Sequence, residues 1–236
     1  MGDSAKEVTP VGASANAIQA HYDVGFSFFE TVLDPTLTYS AARYDANTPT
    51  LAQAQQAKLD LHLANMQLPR GGRFLDIGCG FGSMVRTIKR RDPSTSGVAL
   101  TLSKDQYAYV AQQDLCGVEL RLAPWESLNE SAEFDGVVSI GAFEHFANPS
   151  MSAEERVAGY ERFFEAAKQW LKRGGRLSLQ SIVYGPKWRD GWQFRTDRWF
   201  PETSLPYPAE ILAAAQPHLE LEWVENRPED YALTCD

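Results

Sequence analysis

Residues Phe74 to Gly82 read Phe-Leu-Asp-Ile-Gly-Cys-Gly-Phe-Gly, an apolar run closed by an acid and then three glycines at every second position ahead of a helical stretch. Glycines there let the backbone turn sharply and lie bare against a ligand, because a Cβ would clash and a positive φ would be costly. The implied chemistry is the holding of a bulky, partly charged cofactor. A nicotinamide dinucleotide is one candidate, and its fingerprint wants G-x-G-x-x-G and an acid about 20 residues further on for the ribose. Here the third glycine comes early, and the next strand, Gly97 to Ser103, carries Thr101 in place of that acid. Both departures weaken the dinucleotide reading; a glycine turn without a ligand is the other alternative.

A second group of chemistry-bearing residues lies between Tyr184 and Tyr207. Trp188, Trp192, Phe194, Trp199 and Phe200 alternate there with Lys187, Arg189, Arg195 and Arg198. A connection this long inside an α/β domain is usually functional, often a lid over a site. Trp188, Trp192, Arg198, Trp199 and Phe200 are therefore candidate acceptor-binding residues. The competing reading is an aromatic satellite core with solvated arginines.

The elements that must position these groups follow from periodicity. Ser14 to Leu33 reads as helix interrupted at Gly25 and ended by Asp34-Pro35, and Thr48-Pro49 supplies an N-cap and a first-turn proline. Leu51, Ala54, Ala57, Leu61 and Ala64 then recur at helical spacing to about Met66. Strands are expected at Arg73–Ile77, Thr95–Leu100, Val118–Leu122, Phe134–Ile140, Arg176–Val183 and Leu219–Glu225, with helices near Ser83–Arg91, Lys104–Leu115, Ala153–Leu171 and Pro208–Ala215. Alternation of this kind gives a mostly parallel twisted sheet with helices on both faces. A single domain over 1–236 is expected, with a tail at 1–12, a helical N-terminal cover at 13–68, a cofactor-binding core at 73–183, a lid at 184–207 and a C-terminal helix and strands at 208–236. The last strand would be Asp230–Cys235 paired with Leu219–Glu225, or else the chain is truncated.

Composition narrows the class. A chain of 236 residues with 44% hydrophobic and 22% charged residues is an ordinary globule able to bury a core. A net charge of -9 argues against nucleic acid as substrate, since Lys89-Arg90-Arg91 is too short a basic footprint. It also disfavours docking on an anionic membrane. The three cysteines form no C-x-x-C pair, which suits reduced thiols in a cytoplasm. No apolar run approaches a membrane span, so no stable membrane insertion is expected. A monomer or homodimer acting on a small-molecule acceptor is expected, with no metal ligands assigned.

The glycine turn resembles motif I of class I S-adenosylmethionine (SAM) methyltransferases, a Rossmann-like fold in which the acid, here Asp76, closes the strand and helps hold the methionine end. The wider pattern is similar to the cyclopropane fatty acid synthases, including the mycolic acid cyclopropane synthases. The matching segments are His21-Tyr-Asp-Val-Gly25, Leu33-Asp-Pro-Thr36, Thr38-Tyr-Ser40, Leu100-Thr-Leu-Ser-Lys104, Trp125-Glu126 and Ser139-Ile-Gly-Ala-Phe-Glu-His145. The resemblance implies SAM as cofactor and S-adenosylhomocysteine as its product. It implies that Tyr39 and Ser40 meet the methionine moiety, with Gly78, Gly80 and Gly82 packed against it. Thr101, Leu102 and Gln106 would surround the ribose. Trp125 and Glu126 would hold the adenine, and Ile140 and Gly141 would sit where cofactor meets acceptor.

An alkene acceptor that attacks the methyl becomes a carbocation, which needs aromatic faces or carboxylates and a base. The family's base is a bicarbonate held by a Cys, a Glu, a His, a Tyr and a backbone N–H. Here the Glu matches Glu144 and the backbone donor falls near Ile140, but the Cys falls on Ala41, the His on Gln180, and the Tyr near Arg198 or Trp199. An anion in a desolvated pocket needs several donors, so bicarbonate is not expected. Glu144 itself is expected to act, helped by Tyr22 or His145. The reaction implied is cyclopropanation or C-methylation of a compact unsaturated or aromatic acceptor. Fatty-acyl cyclopropanation, N- or O-methylation of a natural product, and a non-catalytic SAM-binding module are the alternatives.

Overall fold

The computed structural model describes residues 12–185 and 201–236. Two short helices, α1 (Ala15–Tyr22) and α2 (Phe26–Val32), lead into the longer α3 (Leu51–Met66). The break between α1 and α2 falls at Gly25, which has φ +97°. The N-cap of α3 is Thr50, which forms a capping box with Gln53. That corrects the expected cap at Thr48: its hydroxyl instead accepts from the Asp45 N–H at 2.6 Å and closes the preceding turn.

Five strands follow: β1 (Arg73–Ile77), β2 (Ser96–Thr101), β3 (Val118–Leu122), β4 (Phe134–Ile140) and β5 (Leu171–Gln180). They alternate with α4 (Ser83–Arg91), α5 (Lys104–Ala111) and α6 (Ala153–Trp170). All described pairs are parallel, in the order β3-β2-β1-β4-β5. Because strand order reverses beside β1, a crevice opens at the carboxyl ends of β1 and β4, where open α/β sheets bind ligands. In β5, Leu171 pairs with Phe134 and regular pairing resumes at Arg176, so the strand starts earlier than expected and carries an irregularity around Gly174, φ +80°.

Alternation along β1 sorts its side chains between two cores. Leu75 and Ile77 face α6 with Val98, Leu100, Val137, Phe163 and Trp170. Phe74 faces α3 and α4 with Leu59, Met66, Met84, Val85 and Ile88. The same period puts Asp76 on the Phe74 side, toward α3.

The C-terminal region departs from expectation. Leu219–Glu225 is not a strand, and Asp230–Cys235 lies within helix α8 (Pro228–Cys235), which follows α7 (Pro208–Ala215). Ion pairs from Arg176 to Glu222 and from Arg43 to Glu225 tether residues 219–227, but no ladder forms, and an alternating apolar pattern needs a partner strand to become a strand. Trp223 is left 53% exposed. Pro228 at the first helical position and Glu229 and Asp230 in the first turn favour a helix over the expected hairpin. Among the described residues no helix is long and apolar enough to cross a membrane.

Candidate functional site

A cavity at the carboxyl edge of the sheet encloses roughly 1280 Å³ of empty space, counting its open mouth, enough for a nucleoside-sized ligand. Its lining follows strand order. Trp125 and Glu126 come from the 3-10 turn after β3, Thr101, Leu102 and Gln106 from the end of β2 and the start of α5, Asp76, Gly78 and Gly80 from β1 and its turn, and Ile140 and Gly141 from the end of β4. Tyr22, Tyr39 and Ser40 close it from the helical cover. Sixteen sequence-predicted residues fall within the described segments as cofactor or catalytic candidates, and two of them, Gly82 and Glu144, are missing from this wall.

The three glycines are needed for three different reasons. Gly80, φ +55°, has nothing within 4 Å of where a Cβ would stand, so its bare backbone faces the cavity. A Cβ on Gly78 would lie 2.5 Å from that of Ala142, so this glycine lets the turn after β1 pack on the turn after β4. Gly82 caps α4 at φ +81°, a Cβ there would meet Val110 and Arg86, and the residue does not itself line the cavity where contact with the cofactor is expected. The positive φ values explain all three glycines; only Gly80 combines this with open space.

Several candidates carry a structural duty as well. Trp125 belongs to the α6-side core, edge-on to Phe163 at 5.6 Å and to Trp170 at 6.0 Å, and offers only part of its ring to the cavity. The Leu102 carbonyl accepts from Gln19 Nε2 at 3.0 Å and its side chain packs with Ala13, Ala17 and Ile18, docking α1. Thr101 Oγ1 donates to Gln106 Oε1 at 2.8 Å, so the two polar groups expected beside the ribose hold one another. Gly141, φ +69°, leaves room for the Ser40 Cβ, 3.4 Å from where its own would be.

Asp76 is buried, and its Oδ2 has no hydrogen-bond partner. Burial pushes its carboxyl up to about 7, and among the described residues no cation pairs with it to offset the cost. The Oδ2 acceptor is thus not used by the described residues.

Glu144 sits in the 3-10 turn Phe143–His145, behind the wall to which Ala142 and His145 contribute. Oε1 accepts from the Ile182 N–H at 2.6 Å, while the buried Oε2 has no partner. Burial raises this carboxyl to about 7 against the lowering effect of the Ile182 hydrogen bond. Burial and the Glu144 charge together push the Tyr22 phenol far up, so it stays neutral. Tyr22 Oη lies 3.2 Å from His145 Nε2, and His145 Nδ1 lies 2.7 Å from Thr203 Oγ1. Burial, reinforced by His21, lowers His145 to about 4, which keeps it neutral near pH 7. His21, Tyr22, Tyr39 and His145 form an aromatic collar, with Tyr22 edge-on to His21 at 4.6 Å and to Tyr39 and His145 at 6.0 Å.

The positions that resemble the family's bicarbonate ligands bond to one another. Gln180 Nε2 donates to the Ala41 carbonyl at 2.9 Å, and Gln180 Oε1 lies 3.2 Å from His62 Nε2. His62 Nδ1 is 2.8 Å from Ser178 Oγ. Tyr231 of α8, to which no site role is assigned from the sequence, has its phenol raised by burial, with smaller contributions from Cys235, Tyr39 and Glu144. Trp188, Trp192, Arg198, Trp199 and Phe200, the acceptor-binding candidates, lie outside the described residues.

Sequence reading also missed a polar stripe on α3. Gln55, Lys58 and His62 are all buried, whereas Ala64 of the expected apolar face is exposed. Gln55 Nε2 donates to the carbonyls of Thr38 and Ser40 at 3.1 and 2.9 Å, and Lys58 Nζ donates to Ser40 Oγ at 2.6 Å. The available signal was their i, i+3, i+7 spacing, which places them on one helical face.

Residues 11–236 match the family described as mycolic acid cyclopropane synthetase. Cyclopropane mycolic acid synthase 1 of Mycobacterium tuberculosis is 41% identical over 172 residues, 70% of this chain and 55% of that protein. Methoxy mycolic acid synthase MmaA3 of the same organism is 39% identical over 190 residues, 78% of this chain and 60% of that one. The matches therefore span just over half the length of these curated relatives. Among solved structures, the cyclopropane synthase MmaA2 from M. tuberculosis superposes with a TM-score of 0.74 at 32% identity, covering 89% of this chain and 76% of that one. The structure of mycolic acid cyclopropane synthase CmaA1 complexed with SAH and CTAB has the same TM-score and identity, covering 88% and 75%. Coclaurine N-methyltransferase, with a TM-score of 0.71 at 22% identity, shares the fold. Since the family match runs from residue 11 to the last residue and takes in both walls of the cavity, the chain belongs to the mycolic acid cyclopropane synthetase family.

Proposed function

We propose that this protein is a SAM-dependent transferase that adds one carbon to a carbon centre of a small unsaturated or aromatic acceptor. The observation that carries the cofactor assignment is the turn after β1, where Gly80 opens bare backbone to the cavity beside the unpartnered Asp76 carboxylate. Asp76 would take the ammonium of the methionine end, Thr101 and Gln106 would lie along the ribose, and Trp125 and Glu126 would flank the adenine. When bound, SAM would supply an electrophilic methyl on its sulfonium to an electron-rich carbon of the acceptor, with S-adenosylhomocysteine as the leaving thioether.

The chain's own contribution is placement and charge. Ile140 and Gly141 shape the mouth where the two reactants meet, and an apolar wall excludes the water that would trap a cationic acceptor. The faces of Tyr22 and Tyr39 offer quadrupole stabilisation to such a cation. Glu144, half-ionised near neutrality, is the acid on which the outcome turns, either as base or as counter-charge. It acts from behind the wall, on the Tyr22 and His145 side. Bicarbonate is not required: the residues at the Cys and His positions of the family's cradle, Ala41 and Gln180, satisfy one another instead of presenting donors.

The relatives' names support a second reading, in which the acceptor is a long acyl chain with an alkene. Incubation with labelled SAM and either an unsaturated acyl thioester or a panel of compact aromatic and isoprenoid alkenes, with products read by mass spectrometry, separates the two. Turnover of the acyl substrate alone would overturn the small-acceptor reading. The cofactor assignment is tested by calorimetry with S-adenosylhomocysteine. Gly80→Val is expected to lower affinity by two orders of magnitude or more while leaving a folded protein, and equal titrations for variant and wild type would refute it.

A further inference from the structure

Lys58 is an ammonium buried to 2% exposure, and the structure gives it one hydrogen bond, to Ser40 Oγ. Among the described residues it forms no ion pair. The nearest acidic influence is Asp34, and that carboxylate is committed to its own turn, accepting from the Thr38 N–H at 3.0 Å, the Thr36 N–H at 3.0 Å and the Thr36 hydroxyl at 2.6 Å. Burying an uncompensated ammonium is costly, and burial holds this one down to about 7. His62, one turn along α3, is held neutral by burial and by the Lys58 charge, and so gives the ammonium no counter-charge.

Lys58 is nevertheless connected to the cavity. A lysine can only donate, so Ser40 Oγ accepts from it, and the Ser40 hydroxyl proton is left to donate elsewhere. Ser40 lines the cavity, its carbonyl is pinned by Gln55, and Gly141 gives it room. Asp76 also lines the cavity, on the α3 side of the sheet, and among the described residues its carboxyl forms no ion pair and its buried Oδ2 has no hydrogen-bond partner. Among the described residues, the cavity therefore has a carboxyl without a positive partner in its wall and, behind the Ser40 hydroxyl, an ammonium without a negative one.

We infer that Lys58, acting through the Ser40 hydroxyl, positions the carboxylate of the cofactor's amino-acid end while Asp76 takes its ammonium. A zwitterion laid between them compensates both buried charges at once, which neither a neutral nor a singly charged ligand does. The hydroxyl makes Lys58 a positioning residue that never touches the ligand. This rests on the cofactor reading above and assigns the electrostatic origin of its amino-acid specificity.

The test compares two ligands by calorimetry: S-adenosylhomocysteine, and 5′-methylthioadenosine, which keeps base, ribose and thioether but lacks the amino-acid end. Lys58→Met is expected to weaken S-adenosylhomocysteine roughly tenfold to a hundredfold, the range of a charge-assisted hydrogen bond, and 5′-methylthioadenosine by less than about threefold. Lys58→Gln, which keeps a donor for Ser40 without the charge, should fall between Lys58→Met and wild type. A merely structural lysine would weaken both ligands alike, and that result, or no loss for either, overturns the inference. If Lys58→Met does not fold, Ser40→Ala gives the same comparison, with the same two outcomes. Wild-type binding of 5′-methylthioadenosine as tight as that of S-adenosylhomocysteine would overturn this inference alone. Failure of wild type to bind either ligand would overturn the cofactor reading and this inference with it.

Discussion

The two walls of the cavity are built on opposite terms. The β1–α4 wall is apolar beneath its glycine turn: Phe74, Leu75 and Val85 are fully buried, and Asp76 is its one buried charged member. The α3 wall buries Gln55, Lys58 and His62 in a row and links them to Ser40, Ser178 and Gln180. The first wall gives shape to the site at little electrostatic cost. The second carries unpaid or self-satisfied polarity, which a fold keeps only where a ligand or a network compensates it. In this molecule, motif residues shape the cavity, and on the inference above ordinary polar residues on a cover helix would decide which charges it accepts.

The largest effect expected on either side of this contrast, after Gly80→Val, is catalytic. Glu144→Gln keeps the shape and one oxygen for the Ile182 N–H but removes the charge. Its rate with the true acceptor should fall about a hundredfold or more, with S-adenosylhomocysteine affinity within a fewfold of wild type. A variant that turns over normally would show the carboxylate to be part of the scaffold only.

A second measurement uses pH on the ligand-free protein. The Glu144 carboxyl is raised from 4.5 to about 7 on folding, so its contribution to stability is complete below about pH 4.5 and is lost as pH rises through about 7. Thermal melts between pH 5 and 8 should therefore show a decline that shrinks in Glu144→Gln, with an upper bound of roughly 3 kcal/mol on the difference. Asp76 acts in the same direction, and S-adenosylhomocysteine should flatten its share by bringing an ammonium to it.

His62→Leu sharpens the comparison on the α3 side. It leaves Ser178 Oγ and Gln180 Oε1 without their imidazole and should cost about 1–3 kcal/mol by denaturant titration. A neutral result would mean that the network is dispensable packing. The smallest effect is expected from bicarbonate. Adding it to a degassed assay should change the rate by less than about twofold, whereas a saturable recovery would mean that Tyr231 and Glu144 rebuild an anion site despite Ala41 and Gln180.

The sequence by itself determined the sheet, most helices and the cofactor's bed, because these are written in local period and in residue types with one conformational use. Val118–Leu122 and Phe134–Ile140 were read to the residue, and a positive φ at Gly78, Gly80 and Gly82 is what three alternating glycines after an acid imply. Tertiary structure alone decided the rest. Only packing shows that Gly82 turns toward Val110, that Glu144 lies behind the cavity wall, and that Lys58 reaches Ser40. Leu219–Glu225 has a strand's alternation and no partner to pair with, so pattern without a neighbour misled. On α3, apolar recurrence pointed to a face that includes the exposed Ala64, because half of the buried face is polar (Gln55, Lys58 and His62 beside Ala54, Leu59 and Met66) and the worth of those three depends on what lies across from them. Periodicity reports transfer from water, which is a property of a segment. Charge compensation is a property of pairs far apart in the chain, and it exists only once the fold has brought them together.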